Sequence, residues 1–265
     1  MGITDSNGTF NIDKVNNKII YRYKITLSKS NAQLLYYIKS QLKCGTITYE
    51  KDKIYYQIQD KIYLKDIILP IFDNYPLLTD KRFNYLKFKE SILISDHNNN
   101  INQLINDINN NHISYEFNNM IQIMTRAWLV GFIETQDTFY YVNKDSLRTL
   151  HGFSINKNSN KLILICIKYI LNIASNVELD KNGYYTLNTT NNKDIKFIID
   201  YFVIPVQPCW AGYFITNDHT SLFKGTKSYE FSIWKRSYSK NKGDYKLLRK
   251  ISNKVNYIKN KYKDD

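Results

Sequence analysis

Two short polar clusters, each following an apolar or small-residue stretch, carry the side chains best placed to do chemistry. The first is Asp5-Ser6-Asn7-Gly8 and the second is Glu134-Thr135-Gln136-Asp137. Carboxylate and amide oxygens at a helix end have two uses: they cap free backbone groups, or they ligate a hard cation. Residue type alone leaves both uses open. Each cluster runs into a strand-like start, Thr9-Phe10 and Thr138-Phe139. Gly2 meets Gly131, and Phe10 meets Phe139, at one offset of 129 positions. The polar clusters are therefore two copies of one helix-turn-strand unit.

The segments that must hold these clusters repeat in the same order. Residues 9–13 and 19–27 read as strands joined by a polar turn at 14–18. In the second strand Arg22, Lys24 and Thr26 share one face, and Tyr21, Tyr23, Ile25 and Leu27 share the other. One face packs and the opposite face presents cations. Residues 30–43 follow as an amphipathic helix with Leu34, Leu35, Ile38 and Leu42 inward and Ser30 suited to cap it. Residues 45–50 and 53–59 form a hairpin about Lys51-Asp52, and 63–72 and 79–94 are helical on either side of Pro76.

At the same offset Ser30-Asn31 meets Ser159-Asn160, Ile38-Lys39 meets Ile167-Lys168, and Tyr55-Tyr56 meets Tyr184-Tyr185. A register held through helix and hairpin reads as duplication: an α+β chain of two pseudo-symmetric αββαββα halves. The expected first repeat spans 1–95, the Asn-rich stretch 96–119 links the halves, and the second repeat spans 120–265. Later the register slips. Lys81 corresponds to Lys227 at an offset of 146, which places 17 extra residues in a loop at 203–222. Residues 243–263 read as a basic amphipathic helix with Leu247, Leu248, Ile251, Val255 and Ile258 on one stripe. Only Met1 precedes Gly2, whereas the second copy has a full helical turn at 120–127. A longer natural chain, or a misplaced start, is expected.

The 37 Lys and Arg outnumber the 24 Asp and Glu, for a net charge of +13 over 265 residues. Such cations gain affinity for a polyanion by displacing its counterions, so phosphate-rich partners follow. Abundant Lys, Asn, Ile and Tyr also mark a chain translated from an AT-rich genome. A hydrophobic content of 43% with 15% aromatics excludes a disordered chain. Cys44, Cys166 and Cys209 lie far apart with no CxxC, which argues against a disulfide framework or a zinc site. His97, His112, His151 and His219 show no ligand spacing and read as surface or loop residues. No apolar run reaches the length of a membrane span, and no signal peptide is visible.

The stretches Gly2-Ile3-Thr4-Asp5-Ser6-Asn7-Gly8-Thr9-Phe10 and Leu129-Val130-Gly131-Phe132-Ile133-Glu134-Thr135-Gln136-Asp137-Thr138-Phe139 resemble degenerate LAGLIDADG motifs. The whole chain resembles the two-repeat LAGLIDADG homing endonucleases and RNA maturases encoded in organellar group I introns. The segments at 76–81 and 227–235 fit the same comparison. The resemblance implies a monomer whose motif helices pack together through small residues such as Gly2, Val130 and Gly131. Each half would supply a saddle-shaped four-stranded antiparallel sheet. Its polar strand faces would read the major groove, through Arg22 and Lys24 in the first half and Asn156 and Lys157 in the second.

The resemblance further implies a mitochondrial location, no membrane, and double-stranded DNA or group I intron RNA as partner. It implies Mg2+ at each motif helix end, where family members that cleave carry an acid, with basic residues supporting the developing charge. Asn7 and Gln136 fall on the acid positions, Asp5, Glu134 and Asp137 lie beside them, and Lys81 and Lys227 fall on the basic positions.

The departure from the motif lies at those acids. An amide oxygen ligates magnesium without bringing negative charge, so both metal sites are expected to be weak. Asp137 stands where the motif ends in Gly, turned from the ligand position by about 100° along a helix end. Three readings follow: a DNA binder with impaired cleavage, an RNA maturase that needs no nuclease carboxylate, or an inactive relic that binds nucleic acid. Plain structural roles stand beside them. Asn7 and Gln136 serve equally as caps, Glu134 as a partner of backbone or lysine, and Lys81 and Lys227 as helix-start charges. Arg22 and Lys24 would decorate any solvated sheet.

Overall fold

The computed structural model describes residues 1–16, 18–94, 115–136, 138–145, 148–157, 160–203 and 221–264, with the side chains of 258–264 excepted. Most of the expected link at 96–119 and of the expected inserted loop at 203–222 lies outside the described residues, as does Asp137. The chain forms two compact units, centred on Met1–Thr135 and Gln136–Tyr262.

In the first unit α1 (Gly2–Asn7) runs directly into β1 (Gly8–Val15), and β2 (Lys18–Ser28) returns antiparallel. β3 (Thr46–Glu50) and β4 (Lys53–Ile58) complete a four-stranded antiparallel sheet of order β1-β2-β4-β3. The period-two pattern of β2 works as the sequence dictates: Tyr21, Tyr23, Ile25 and Leu27 are buried, and Arg22, Lys24 and Thr26 face the other way. α2 (Ala32–Leu42) covers the buried face with Leu34 and Leu35. It begins behind a short 3-10 turn, Lys29–Asn31, and Ser30 does not cap it; the Ser30 hydroxyl instead bonds Ser28 Oγ at 2.7 Å.

The helical segment expected at 63–72 starts earlier, as α3 (Lys61–Tyr63), with the Asp60 carboxylate accepting from Ile62 N at 2.8 Å. It widens into a π turn at Leu64–Ile68 before α4 (Leu69–Asn74). Pro70, in the first turn of α4, has no N–H to continue the i to i−4 ladder, which gives the widening its physical cause. α5 (Lys81–Ile94) then closes an aromatic core in which Phe10 lies 5.2 to 5.4 Å from Tyr23, Phe72, Tyr85 and Phe88.

The apolar stretch before the second cluster is two helices. α6 (Phe117–Ile123) stops, and the Thr125 side chain accepts from Trp128 N to start α7 (Arg126–Ile133). α7 belongs to the first unit and packs on α1. A methyl group on Gly2 would overlap the Trp128 carbonyl and the Phe132 amide, so the two backbones meet with no side chain between them.

In the second unit β5 (Phe139–Asn143), β6 (Thr149–Lys157), β7 (Val177–Leu179) and β8 (Tyr185–Thr189) form an antiparallel sheet of order β5-β6-β8-β7, the same permutation as the first. α8 (Lys161–Ile170), capped by Asn160, and α9 (Asn192–Phe202), capped by Asn191, accompany it. α10 (Thr226–Asn241) packs on β5, with Phe231 and Trp234 buried beside Phe139. α11 (Tyr245–Asp264) buries Leu248. The architecture is thus α+β with two four-stranded antiparallel sheets, as the repeat pattern predicts.

His151 corrects a sequence expectation. It is a buried residue of β6, ringed by Tyr141, Trp234 and Tyr238. A ring nitrogen bonds Ser237 Oγ at 2.8 Å, and Tyr141 meets the same hydroxyl at 2.8 Å. Burial, with Lys242 nearby, pushes its pKa down to about 4.

Candidate functional site

α1 of the first unit presents three successive polar side chains with three different environments. Asp5 is fully buried. Its carboxylate accepts from Leu78 N at 3.0 Å, Thr79 N at 2.9 Å, Thr79 Oγ1 at 2.7 Å and Trp128 Nε1 at 2.7 Å. It thereby ties α1 to the approach to α5 and to α7. The resemblance offered Asp5 as a metal ligand; both oxygens are instead engaged by donors inside the core, so it is a structural acid. Glu134, its repeat equivalent, is likewise buried, at the C-terminal cap of α7.

Ser6 bonds Thr135 Oγ1 at 2.6 Å. Asn7, half-buried at the last position of α1, donates its Nδ2 to the Thr26 carbonyl at 3.3 Å. A carbonyl only accepts, so the amide nitrogen must face it, and Oδ1 is the oxygen left for other partners. Lys81, at the first position of α5, donates its Nζ to Ser6 O at 2.8 Å and Thr4 O at 3.1 Å. Its charge caps the carbonyl end of α1, where a cation is electrostatically favoured.

In the second unit Gln136 is half-buried, and its backbone carbonyl accepts from Thr138 Oγ1 at 3.1 Å. Lys227, at the start of α10, is buried and pairs with Glu230 Oε2 at 2.7 Å. Sequence reasoning missed this pair, although the i, i+3 spacing on a helix was a usable signal. The two matched lysines thus have different anchors, helix-end carbonyls for Lys81 and a carboxylate for Lys227.

On the first sheet Arg22 Nη1 pairs with Asp13 at 3.2 Å, and Lys24 Nζ lies 3.6 Å above the Tyr55 ring. On the second sheet Asn156 is exposed and accepts from Ser154 Oγ at 3.3 Å. Lys157, the next residue on β6, has the opposite parity and shares the face of Phe153 and Ile155. Ladder registers place Phe10 opposite Tyr23 and Phe139 opposite Phe153, so Arg22 and Lys24 correspond to Gly152 and Ser154. The offset on this strand is 130, which is why sequence matching did not reach those positions.

Among the described residues no group of three or more His, Cys, Asp and Glu gathers to hold a metal. Asn7 and Gln136 offer amide oxygens, which bring no negative charge to a hard dication.

Sequence and structure comparisons place this geometry. The sequence model of the LAGLIDADG endonuclease family matches residues 1–92. The protein named "probable intron-encoded endonuclease Cox1-I1b" of Schizosaccharomyces pombe is 33% identical over 99% of this chain and 68% of its own length. The chain belongs to the LAGLIDADG endonuclease family.

A second relative of this LAGLIDADG chain, the "uncharacterized mitochondrial protein RF1" of Saccharomyces cerevisiae, is 29% identical over 65% of the chain and 38% of its own length. Among solved structures, I-SmaMI bound to an uncleaved DNA target in the presence of calcium ions superposes with a TM-score of 0.72 at 20% identity, covering 96% of this chain and 97% of that one. At that identity the likeness speaks for the fold.

Proposed function

We propose that this chain is an intron-encoded, monomeric LAGLIDADG protein that binds double-stranded DNA through the polar faces of its two sheets and cleaves it weakly. Asn7 carries the reading. Its amide nitrogen bonds Thr26 O, a contact a carboxylate could not donate, so the residue fits as a settled helix-end amide rather than a vestigial acid. Gln136 in the second motif is neutral as well. DNA binding is supported by the charge of +13 and by the DNA-bound state of the solved I-SmaMI structure, and divalent-metal dependence by the calcium in it. The mitochondrial relative supports a mitochondrial location.

In this reading a bound Mg2+ would supply phosphate neutralisation and water activation. This chain would offer it Asn7 and Gln136, with Asp137 the nearest acid in sequence to Gln136. Lys81 holds its ammonium at the end of α1, beside Asn7, where it would face developing negative charge. Arg22, Lys24 and Asn156 would contact the duplex, and Lys157 its phosphates from the strand end.

A second reading, an RNA maturase assisting group I intron splicing, is favoured by the neutral residue at both motif acid positions in a chain whose two cores remain filled. One experiment tests both. The protein is titrated against its intron-less DNA junction and against its intron RNA, with Mg2+ present and DNA ends scored. Sequence-specific duplex binding with slow cleavage supports the first reading. Tight intron-RNA binding that accelerates splicing, with the DNA intact, establishes the second and overturns the first. Salt-sensitive binding to every nucleic acid alike, without either activity, overturns both and leaves a relic.

A further inference from the structure

The two sheets expose different chemistry on corresponding faces. On the first, strand parity puts Lys18, Arg22, Lys24 and Lys53 on one surface, with Gln57 opposite Lys24 and only Asp13 and Glu50 as acids. Arg22 and Lys24 are held in place. Arg22 Nη1 goes to Asp13, and Gln59, with its amide turned to satisfy both groups, accepts from Arg22 Nε at 2.8 Å and Nη2 at 3.2 Å. Two of the five guanidinium N–H groups remain for another partner. Lys24 is seated on Tyr55.

The corresponding surface of the second sheet carries Tyr140, Ser154, Asn156, Thr186, Asn188 and Glu178. Among its described strand residues there is no Lys or Arg. Its amides are positioned too: Tyr140 Oη bonds Asn188 Oδ1, and Ser154 Oγ bonds Asn156 Oδ1. Each amide keeps a second oxygen lone pair and its NH2 group.

Resting on the reading that both sheets face the major groove, we infer that the first sheet reads guanine and the second reads adenine-thymine pairs. Guanine presents two acceptors, N7 and O6, which match a positioned guanidinium fork or ammonium. Adenine presents an acceptor beside a donor, N7 and N6–H2, which match the paired NH2 and oxygen of an amide. A cation set against N6–H2 would be desolvated without an acceptor, and a lone amide gives guanine only one matched bond. Arg22 and Lys24 on one sheet, and Asn156 and Asn188 on the other, are therefore specificity-determining residues, and the recognition sequence is compositionally lopsided.

The test is selection of bound duplexes from a library randomised across the whole footprint, with the full chain and calcium to hold the complex uncleaved. The expected result is one guanine-rich block and one adenine-thymine block. Arg22→Ala flattens only the first and Asn156→Ala only the second, each by roughly 10- to 100-fold in base preference. Arg22→Gln, which keeps a polar side chain should the alanine variant fail to fold, converts a preferred guanine to adenine. If a sequence is selected but the block sensitive to Asn156→Ala is guanine-rich, or Arg22→Gln leaves guanine preferred, the inference is wrong and the duplex-binding reading survives. If the unaltered chain selects no sequence, the duplex-binding reading fails and the inference falls with it.

Discussion

Ser6 and Thr135 share a hydrogen bond of 2.6 Å, and they are the same position of the two sequence repeats. The ends of α1 and α7 therefore meet at equivalent positions, and their contact must satisfy both helices at once.

The glycines of that contact are not equivalent. A methyl on Gly2 would overlap backbone atoms of Trp128 and Phe132, whereas one on Gly131 would meet Ile3 N at 3.1 Å and the Ile3 side chain at 3.3 Å. Gly2→Ala is expected to lower stability by about 3 kcal/mol or more, and Gly131→Ala by roughly 1–2 kcal/mol. Urea unfolding of the two variants decides it. Equal losses would mean that the helix contact is looser than described.

Asp5→Ala leaves two backbone N–H groups, a hydroxyl and an indole N–H without their acceptor. A loss of about 3–5 kcal/mol is expected. Because the carboxylate faces the core, the loss should be the same with and without Mg2+. A deficit that appears only in Mg2+ would instead make Asp5 a ligand.

Asn7→Asp with Gln136→Glu restores negative charge at both motif ends. Double-strand cleavage in Mg2+ is expected to rise at least roughly tenfold, since charge is what a hard cation lacks here. Asn7→Asp also gives up the bond to Thr26 O, so a small stability loss of about 1 kcal/mol should accompany the gain. Unchanged cleavage would show that the amides are not what limits the reaction.

His151 makes the second unit acid-sensitive. Its pKa falls from 6.5 to about 4 on folding, so between those values the unfolded chain binds more protons. Its contribution is fully present above pH 6.5 and is lost as pH drops toward 4, to a total of roughly 3 kcal/mol. His151→Gln should flatten this limb of the stability–pH curve. An unaltered limb in that variant would assign the acid sensitivity to other groups.

Much of the fold was legible because it rests on periodicity. The alternation in residues 21–27, the helix spacing of Leu34 and Leu35, and the repeated order all survive into the structure. The site was legible only in part. Type, spacing and the family resemblance pointed to Asn7, Lys81 and Lys227 as candidates, but they do not reveal which way a side chain turns. Asp5 points inward because donors from two separated segments converge on it, an arrangement no local pattern encodes. His151 was misplaced because a lone histidine on a strand carries no sign of its face until the register is known. The one-residue difference in the β6 offset hid Ser154 for the same reason.

α7 belongs by sequence to the second repeat and by packing to the first compact unit. The duplicated segment and the folding unit are thus out of step by one helix. Splitting the polypeptide at the repeat boundary would strip the first piece of Trp128, a donor to Asp5, and part Gly2 from the backbone it packs on. Such fragments would recombine only by donating a helix in trans.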